Sequence, residues 1–269
     1  MSNHEDFPTL GKDAWTFDIP SSEPCRLFLT EQNNTPTQVW FMASDGKAND
    51  DLALFAKVLT LDLQQEMPDK VQEKLNMLES VAGRGFRMAF PPTGEKQMMI
   101  GQVNAIAKLL LYRGGFMMSD TPLTQYQLKG DIWSVDVLNP YTQTVFTIKI
   151  SEPMIDGRKR PSCIWLEGQH PEILDGLCTL LSADMSSPDL SRIAIKLKAL
   201  LELQSSMKGM IEYRLDNLSA YIAYVLLKRY ELHFHMDDRI NVMPYTNVLS
   251  FDSNKPSNDR GYSHVLEVG

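Results

Sequence analysis

The run of this sequence that most resembles a metal site contains two histidines and two aspartates, His233-Phe234-His235-Met236-Asp237-Asp238. On a strand the two imidazoles share one face, and imidazole together with carboxylate binds divalent metals. The alternative is a polar segment that leaves the last helix with Phe234 packed inward. Because the pattern fixes only two histidines and no third ligand, we favour the alternative and predict no metal site.

Six basic side chains form a second candidate site, for nucleic acid or an acidic partner: Arg158, Lys159, Arg160, Arg84, Arg87 and Arg113. The first three occupy the tip of a predicted hairpin, and clustered guanidinium and ammonium groups bind phosphates or carboxylates. A solvated loop is the competing interpretation, because Asp156-Gly157 is a typical turn pair. The sequence leaves both interpretations open.

Nothing in the sequence has the pattern of a catalytic site. It contains no G-x-G-x-x-G or G-x-x-x-x-G-K-[S/T] phosphate loop and no G-x-S-x-G elbow. Cys163 and Cys178 fall in an apolar strand and on an apolar helix face, which predicts buried thiols without a partnered base. Asp50 and Asp51 are interpreted as N-terminal caps of a helix. We therefore predict a protein that is not an enzyme, with no catalytic residues and no cofactor.

Composition is that of a globular protein, because the 269 residues are 43% hydrophobic and 22% charged. No apolar run approaches the roughly 20 residues that span a bilayer, and the first residues lack the pattern of a secretory signal. Three cysteines without a C-x-x-C pair favour a reducing compartment, so we expect a cytoplasmic protein without a membrane partner. The net charge of −8 opposes binding to a phosphate backbone unless a local basic patch overcomes it.

Four aromatic residues in or near predicted strands offer another route to nucleic acid: Trp40, Phe41, Tyr141 and Trp165. Exposed aromatics on a small sheet stack against the bases of single-stranded RNA. We favour packing against covering layers instead, because the run 39–42 shows no polar alternation.

An internal repeat organises the chain. Trp15-Thr16-Phe17-Asp18-Ile19 returns 118 residues later as Trp133-Ser134-Val135-Asp136-Val137, and strand and helix patterns follow in the same order. Apolar residues three and four positions apart predict a helix after Asp50 and its counterpart around Ile173. Further helices are predicted over 71–81, 97–112, 190–203 and 211–230, with a short strand over 86–90.

These patterns predict an α+β fold of two tandem β-β-β-α-α-α repeats, packed as a pseudo-two-fold pair. The first repeat covers residues 1–118 and the second covers residues 128–245. A flexible polar tail is predicted over 246–269.

This order of elements resembles the TSCPD domain of adenosylcobalamin-dependent class II ribonucleotide reductases. That small accessory domain lies at the reductase C-terminus or forms a separate small subunit. The second repeat carries the similar motifs: Val145-Phe146-Thr147-Ile148-Lys149-Ile150 for the first strand pair, Asp156-Gly157-Arg158-Lys159-Arg160-Pro161 for the DGRRRP hairpin, and Ile164-Trp165-Leu166-Glu167 for the EIFIN strand. The first repeat resembles the family through 28–31, Pro36 and 39–43. Ser186-Ser187-Pro188-Asp189 stands in place of the eponymous segment and lacks its cysteine, and no counterpart of the reductase barrel accompanies it.

Three functions remain as hypotheses. The first is a non-catalytic interaction or assembly protein that binds a protein partner or itself. The second is a module that binds RNA or single-stranded nucleic acid through the basic hairpin and sheet aromatics. The third, implied by the resemblance, is an accessory subunit of a class II ribonucleotide reductase.

Overall fold

The computed structural model of this chain describes residues 14–33, 35–46, 49–116, 130–139, 141–185, 187, 191–201 and 217–230. Those residues form six helices and ten strands arranged in small antiparallel sheets. The protein therefore belongs to the mixed α and β class, as the sequence predicts. None of the described helices has both the length and the apolar character that crossing a membrane requires.

The first half begins with a three-stranded sheet and ends with a helix. Its elements are, in chain order, β1 (Ala14–Ile19), β2 (Cys25–Gln32), β3 (Thr35–Ala43), α1 (Asp50–Gln65), α2 (Pro68–Glu79), β4 (Phe86–Phe90), β5 (Glu95–Met99) and α3 (Gln102–Arg113). The sheet order is β1-β2-β3, and β4 and β5 form a separate hairpin. Asn49 caps α1 by accepting from the Leu52 amide at 3.0 Å, and Pro68 opens α2, where its missing N–H is no loss.

The second half has the same start and end. Its elements are β6 (Asp131–Leu138), β7 (Val145–Glu152), β8 (Met154–Ile155), β9 (Arg158–Lys159), β10 (Cys163–Gly168), α4 (Glu172–Met185), α5 (Ser191–Leu201) and α6 (Leu218–Tyr230). The sheet order is β10-β7-β6, and β8 and β9 form a hairpin between its second and third strands in sequence. Asp156 and Gly157 turn this hairpin with φ of 51° and 74°, the left-handed region that these two residue types tolerate best.

One apolar core joins the two halves. Side chains from both sheets and from all six described helices belong to a single buried cluster, and α1 contacts α4, α5 and α6. Gly176 of α4 lies so close to the first half that an added Cβ would stand 2.9 Å from Val103 and 3.0 Å from Phe55. The halves are thus packed at the close range of a protein interior.

Several sequence predictions are confirmed. The short strand over 86–90 is β4, and the apolar face predicted around Ile173 is buried along α4. Cys163 and Cys178 are buried, as predicted, and Cys25 is a third buried free thiol. The capping role predicted for Asp50 and Asp51 is wrong: both lie in the first turn of α1, and the preceding residue, Asn49, is its N-cap.

The helix predicted over 97–112 is wrong in its first five residues. Residues 95–99 form β5, which pairs with β4 in the register Met88 to Gln97, and α3 begins only at Gln102. The apolar spacing of Met99 and Ile100 imitates a helical face, but the turn at Gly94, with φ of 72°, folds this segment back onto β4. Ile100, expected on the buried helix face, is 44% exposed. The predicted segment 211–217, the tail 246–269 and the histidine run 233–238 lie outside the described residues apart from Asn217.

Candidate functional site

Four charged side chains meet in the core between the halves. Lys74 of α2 donates to Asp62 Oδ1 at 2.7 Å and to Asp184 Oδ1 at 2.5 Å. Lys196 of α5 donates to Asp62 Oδ1 at 2.6 Å and to Asp184 Oδ2 at 2.5 Å. We call these four residues the charge cluster. Each lysine therefore bridges an aspartate of its own half and one of the other half.

All four residues of the charge cluster are at most 6% exposed, so their desolvation must be offset by their mutual attraction. Burial alone would lower the pKa of Lys74, but Asp62 and Asp184 outweigh it and raise that pKa above the usual range. Glu66 extends the cluster, since it accepts from Lys74 at 2.9 Å and from Arg192. Oxygens of three of these acids, Asp62, Glu66 and Asp184, lie within 4.8 Å of one another, as metal ligands would. Lysine ammonium groups supply positive charge at that position.

A regular interval runs through this interface. Asp62 and Asp184 are 122 positions apart, and so are Lys74 and Lys196. Thr60 and Ser182 have the same separation, and each hydroxyl bonds the backbone N–H and C=O of a strand residue, Val39 for Thr60 and Ile164 for Ser182. Equivalent positions along α1 and α4 thus perform equivalent tasks.

The halves also exchange helix caps. Asp51 of α1 accepts from the Ser219 amide at the start of α6, at 2.7 Å. Glu172 of α4 accepts from the Val103 amide at the start of α3, at 3.1 Å, and its other oxygen accepts from the Arg84 amide. A carboxylate at a helix N-terminus satisfies unpaired N–H groups and complements the helix dipole. Each half therefore stabilises the last helix of the other.

A matching stack of tryptophan, arginine and glutamate closes the edge of each sheet. The Arg113 guanidinium lies 3.8 Å from the centre of the Trp15 ring and donates to both oxygens of Glu31, at 2.7 and 2.6 Å. In the second half, the Arg229 guanidinium lies 4.1 Å from the Trp133 ring centre and donates to both oxygens of Glu152. Tyr230 adds a hydroxyl that donates to Glu152 at 2.6 Å.

One face of each sheet points away from the core. In the first sheet Trp40 pairs with Phe28, and beside them Met42 is 48% exposed. In the second, Trp165 pairs with Lys149 and is followed on the same face by the exposed Glu167. Trp40 and Trp165 are half-buried and alternate with core residues, so both point outward. We call these surfaces the outer sheet faces.

The favoured packing of the four aromatics is therefore correct for only one of them. Phe41 faces the core and stacks on Phe55 with ring centres 6.3 Å apart. Tyr141 is 67% exposed, and Trp40 and Trp165 lie on the outer sheet faces. Residues 39–42 lack polar alternation because both faces of β3 carry apolar side chains here, and not because a second layer covers the outer face.

The six basic residues predicted as a site lie in three separate regions of the chain: 84–87, 113 and 158–160. Arg158 and Lys159 form β9 and are exposed, with Lys159 Nζ 3.1 Å from Asp131 and 3.9 Å from Glu152. Arg160 follows them and is half-buried. Arg84 and Arg87 are exposed around the start of β4, and Arg113 ends α3 within the Trp15–Glu31 stack. Only the three hairpin residues lie side by side.

A cleft of about 340 Å³ opens where the two halves meet. It is lined by Ser22, Glu23, Gly83, Arg84, Gln102, His170, Glu172 and Asp175. No local sequence pattern reveals this cleft, because its residues come from four separate stretches of the chain. The charge cluster was not predicted either, although the 12-residue spacing of Asp62 and Lys74, which Asp184 and Lys196 repeat, was a signal for it.

Comparison with models of protein families, with curated proteins and with solved structures finds no match for this chain.

Proposed function

We propose that this chain is a non-catalytic interaction protein, built from two diverged copies of one α+β unit, that binds protein partners through its outer sheet faces. The observation that carries this proposal is the pair of half-buried, outward-pointing tryptophans, Trp40 and Trp165. They occupy matching places on the two outer sheet faces, where their neighbours differ. Tryptophan is enriched where proteins bind one another and dominates the binding energy there.

Reciprocal contacts between the halves support the duplication. A two-fold dimer has a self-complementary interface, in which residue i of one copy meets residue j of the other and the reverse. The charge cluster and the exchanged caps of Asp51 and Glu172 have this form within one chain. The surface through which two single units would dimerise is thus buried between the two halves of this chain. The outer sheet faces, which point away from that interface, are available to other partners.

Divergence of the two outer sheet faces supports two unlike binding surfaces. Around Trp40 the neighbours Phe28 and Met42 are apolar, whereas around Trp165 they are Lys149 and Glu167, joined by a 2.7 Å ion pair. The first face suits an apolar partner surface and the second a mixed polar one. A single chain with both would connect two different proteins.

The proposed lineage is the TSCPD accessory domain. This part of the proposal is supported by the hairpin β8–β9, which contains the first four residues of the DGRKRP motif and lies between β7 and β10 in the chain. An accessory domain acts by binding a larger assembly, so this lineage is consistent with an interaction protein. A class II ribonucleotide reductase is accordingly one partner to test.

Binding of RNA or single-stranded DNA is the second candidate function. It is favoured by exposed Arg158 and Lys159 on a hairpin that also presents exposed Met154 and Ile155. The net charge of −8 opposes it.

A native pull-down with the full chain, with and without nuclease, separates the candidates when mass spectrometry identifies what is bound. We expect protein partners that survive nuclease and are lost from Trp40→Ala or Trp165→Ala but kept by Gln64→Ala, at an exposed position of α1 that lies outside both outer sheet faces. If capture instead depends on nucleic acid and fails in a double variant of Arg158→Ala and Lys159→Ala, while Lys96→Ala retains it, the interaction proposal is overturned in favour of the second candidate.

A further inference from the structure

The cleft between the halves presents hydrogen-bond acceptors that no described residue uses. Gln102 is only 3% exposed, and its Nε2 donates to the Glu23 carbonyl at 2.7 Å and to Cys25 Sγ at 3.4 Å. A carbonyl can only accept, so the amide nitrogen must face it, which fixes the side chain's orientation. Gln102 Oε1 is left without a donor among the described residues. A buried side chain oriented in this way on the cleft wall marks a position for an incoming N–H group.

The exposed carboxylate of Glu23 is a second acceptor without a donor among the described residues. It lines the same cleft and receives no hydrogen bond from any described residue, although the residue's carbonyl is used by Gln102. Partial burial raises the pKa of the Glu23 carboxyl, and the nearby carboxylates of Glu172 and Asp51 raise it further. Like charges gathered without a counter-charge destabilise one another, and a bound cation would relieve this repulsion.

The remaining wall adds two more carboxylates and a histidine. Asp175 Oδ1 lies 2.9 Å from His170 Nε2, and Glu172 already accepts two backbone amides. His170 has a side chain that is 10% exposed, and its Nδ1 is buried with no partner in the described structure. Arg84 is the one arginine of the lining, and its backbone rather than its side chain contacts Glu172. Three acids thus face one exposed arginine and one histidine.

We infer that this cleft binds an organic cation with several N–H donors, a guanidinium or primary ammonium group, between Glu23, Gln102 and Asp175. A planar guanidinium donates in several directions at once and suits separate carboxylate and amide oxygens better than a metal ion does. The volume of about 340 Å³ admits a small amine or one long basic side chain. This inference is independent of the outer sheet faces and holds or fails separately from the proposed function.

Agmatine, which carries a guanidinium and an ammonium group, is the probe, titrated calorimetrically into the full chain at low salt. We expect saturable binding, which N-butylurea, a neutral molecule of similar shape, does not show. Glu23→Gln should weaken agmatine binding about tenfold, as expected for the loss of one charge-assisted hydrogen bond. Glu95→Gln, at an exposed glutamate on β5, should bind agmatine as the natural chain does.

Stability separates binding from a structural role of Glu23. Because no described donor bonds its carboxylate and its neighbours repel it, Glu23→Gln should leave the unfolding midpoint unchanged or raise it. Absence of saturable agmatine binding, equal binding by N-butylurea, or full affinity in Glu23→Gln would each overturn the inference.

The source of the cation is found by sedimentation of the natural chain with and without agmatine. A mass of one chain in both conditions identifies a free small cation as the ligand. Self-association that agmatine reverses, and that a triple Arg158→Ala, Lys159→Ala and Arg160→Ala variant lacks, identifies a basic side chain of a second copy.

Discussion

Lys74 and Lys196, which come from opposite halves of the chain, share the same two buried acceptors, Asp62 and Asp184. Two ammonium groups and two carboxylates therefore balance one another in the core. Balance is required there, because an uncompensated charge in the interior is far less stable than a paired one. Because any shift of one half against the other would separate the four charges, we expect the cluster to favour a single alignment of the two halves.

Replacement of one lysine tests this balance. Lys74→Met replaces the lysine with an unbranched apolar side chain of similar length, but it leaves two buried aspartates with one ammonium group. We expect a loss of about 3–5 kcal/mol in the free energy of unfolding, measured by urea denaturation. Lys70→Met is the matched control on the same helix, because the Lys70 side chain is 62% exposed and, among the described residues, forms its ion pair with Glu73 alone. Equal midpoints for the two variants would show that the cluster contributes little to stability.

The elements of the fold were predictable where local pattern decides them. The strand triplets, the helix after Asp50 and the strand over 86–90 follow from apolar spacing and turn residues. The strand β5 was not predictable in this way. It forms because it pairs with β4, whereas the spacing of its own apolar residues is typical of a helix. A local pattern cannot reveal which long-range partner a segment will meet.

The candidate site was less predictable than the fold. Arg113 was grouped with the exposed basic residues, yet its guanidinium is held between Trp15 and Glu31, a partner 82 residues away. The cleft unites Glu23, Gln102 and His170 only through tertiary packing. Charged residues on a helix, such as Asp62, also look solvated in sequence when their buried partner lies on another helix.

The contact of Gly176 with the first half makes a second test. In a helix, Gly→Ala usually stabilises by up to about 1 kcal/mol, but the new methyl would press on Val103 and Phe55. We expect Gly176→Ala to lower stability by roughly 1–3 kcal/mol, the usual cost of overpacking. Adding Val103→Ala should recover part of this loss, since it removes the nearest atoms. If Gly176→Ala is stabilising, the halves do not pack at the described distance.

The loss of folding stability at low pH should depend on Glu152, which is 1% exposed. Burial opposes its ionisation, but hydrogen bonds from Arg229 and Tyr230 outweigh burial and hold the pKa of its carboxyl below the usual 4.5. Because the folded-state pKa is the lower one, the stabilisation is complete above about pH 4.5 and is lost as pH falls through the folded-state pKa. Glu152→Gln should therefore be less stable than the natural chain at pH 7, with a difference that shrinks toward pH 3. Chemical denaturation at both pH values measures it, and Glu95→Gln, at an exposed glutamate, should show no such trend.

The exchanged caps predict how the chain unfolds. Asp51→Ala removes the acceptor of the Ser219 amide from α6, a helix of the other half, and should cost about 1–2 kcal/mol. Asp50→Ala, one residue earlier and exposed, is the matched control and should change stability little. Hydrogen exchange provides the local measurement, because the Ser219 amide should exchange faster in Asp51→Ala than in Asp50→Ala.

Cooperativity decides whether the two halves are domains or parts of one structure. The charge cluster, the Gly176 contact and the caps all cross between the halves, so neither half retains its partners when the other unfolds. We therefore expect a single calorimetric transition for the natural chain, and a single one at lower temperature for Asp51→Ala. In that variant, two separated transitions would mean that residues 14–116 fold without residues 130–230. The reciprocal contacts would then align two independent units rather than stabilise a shared core.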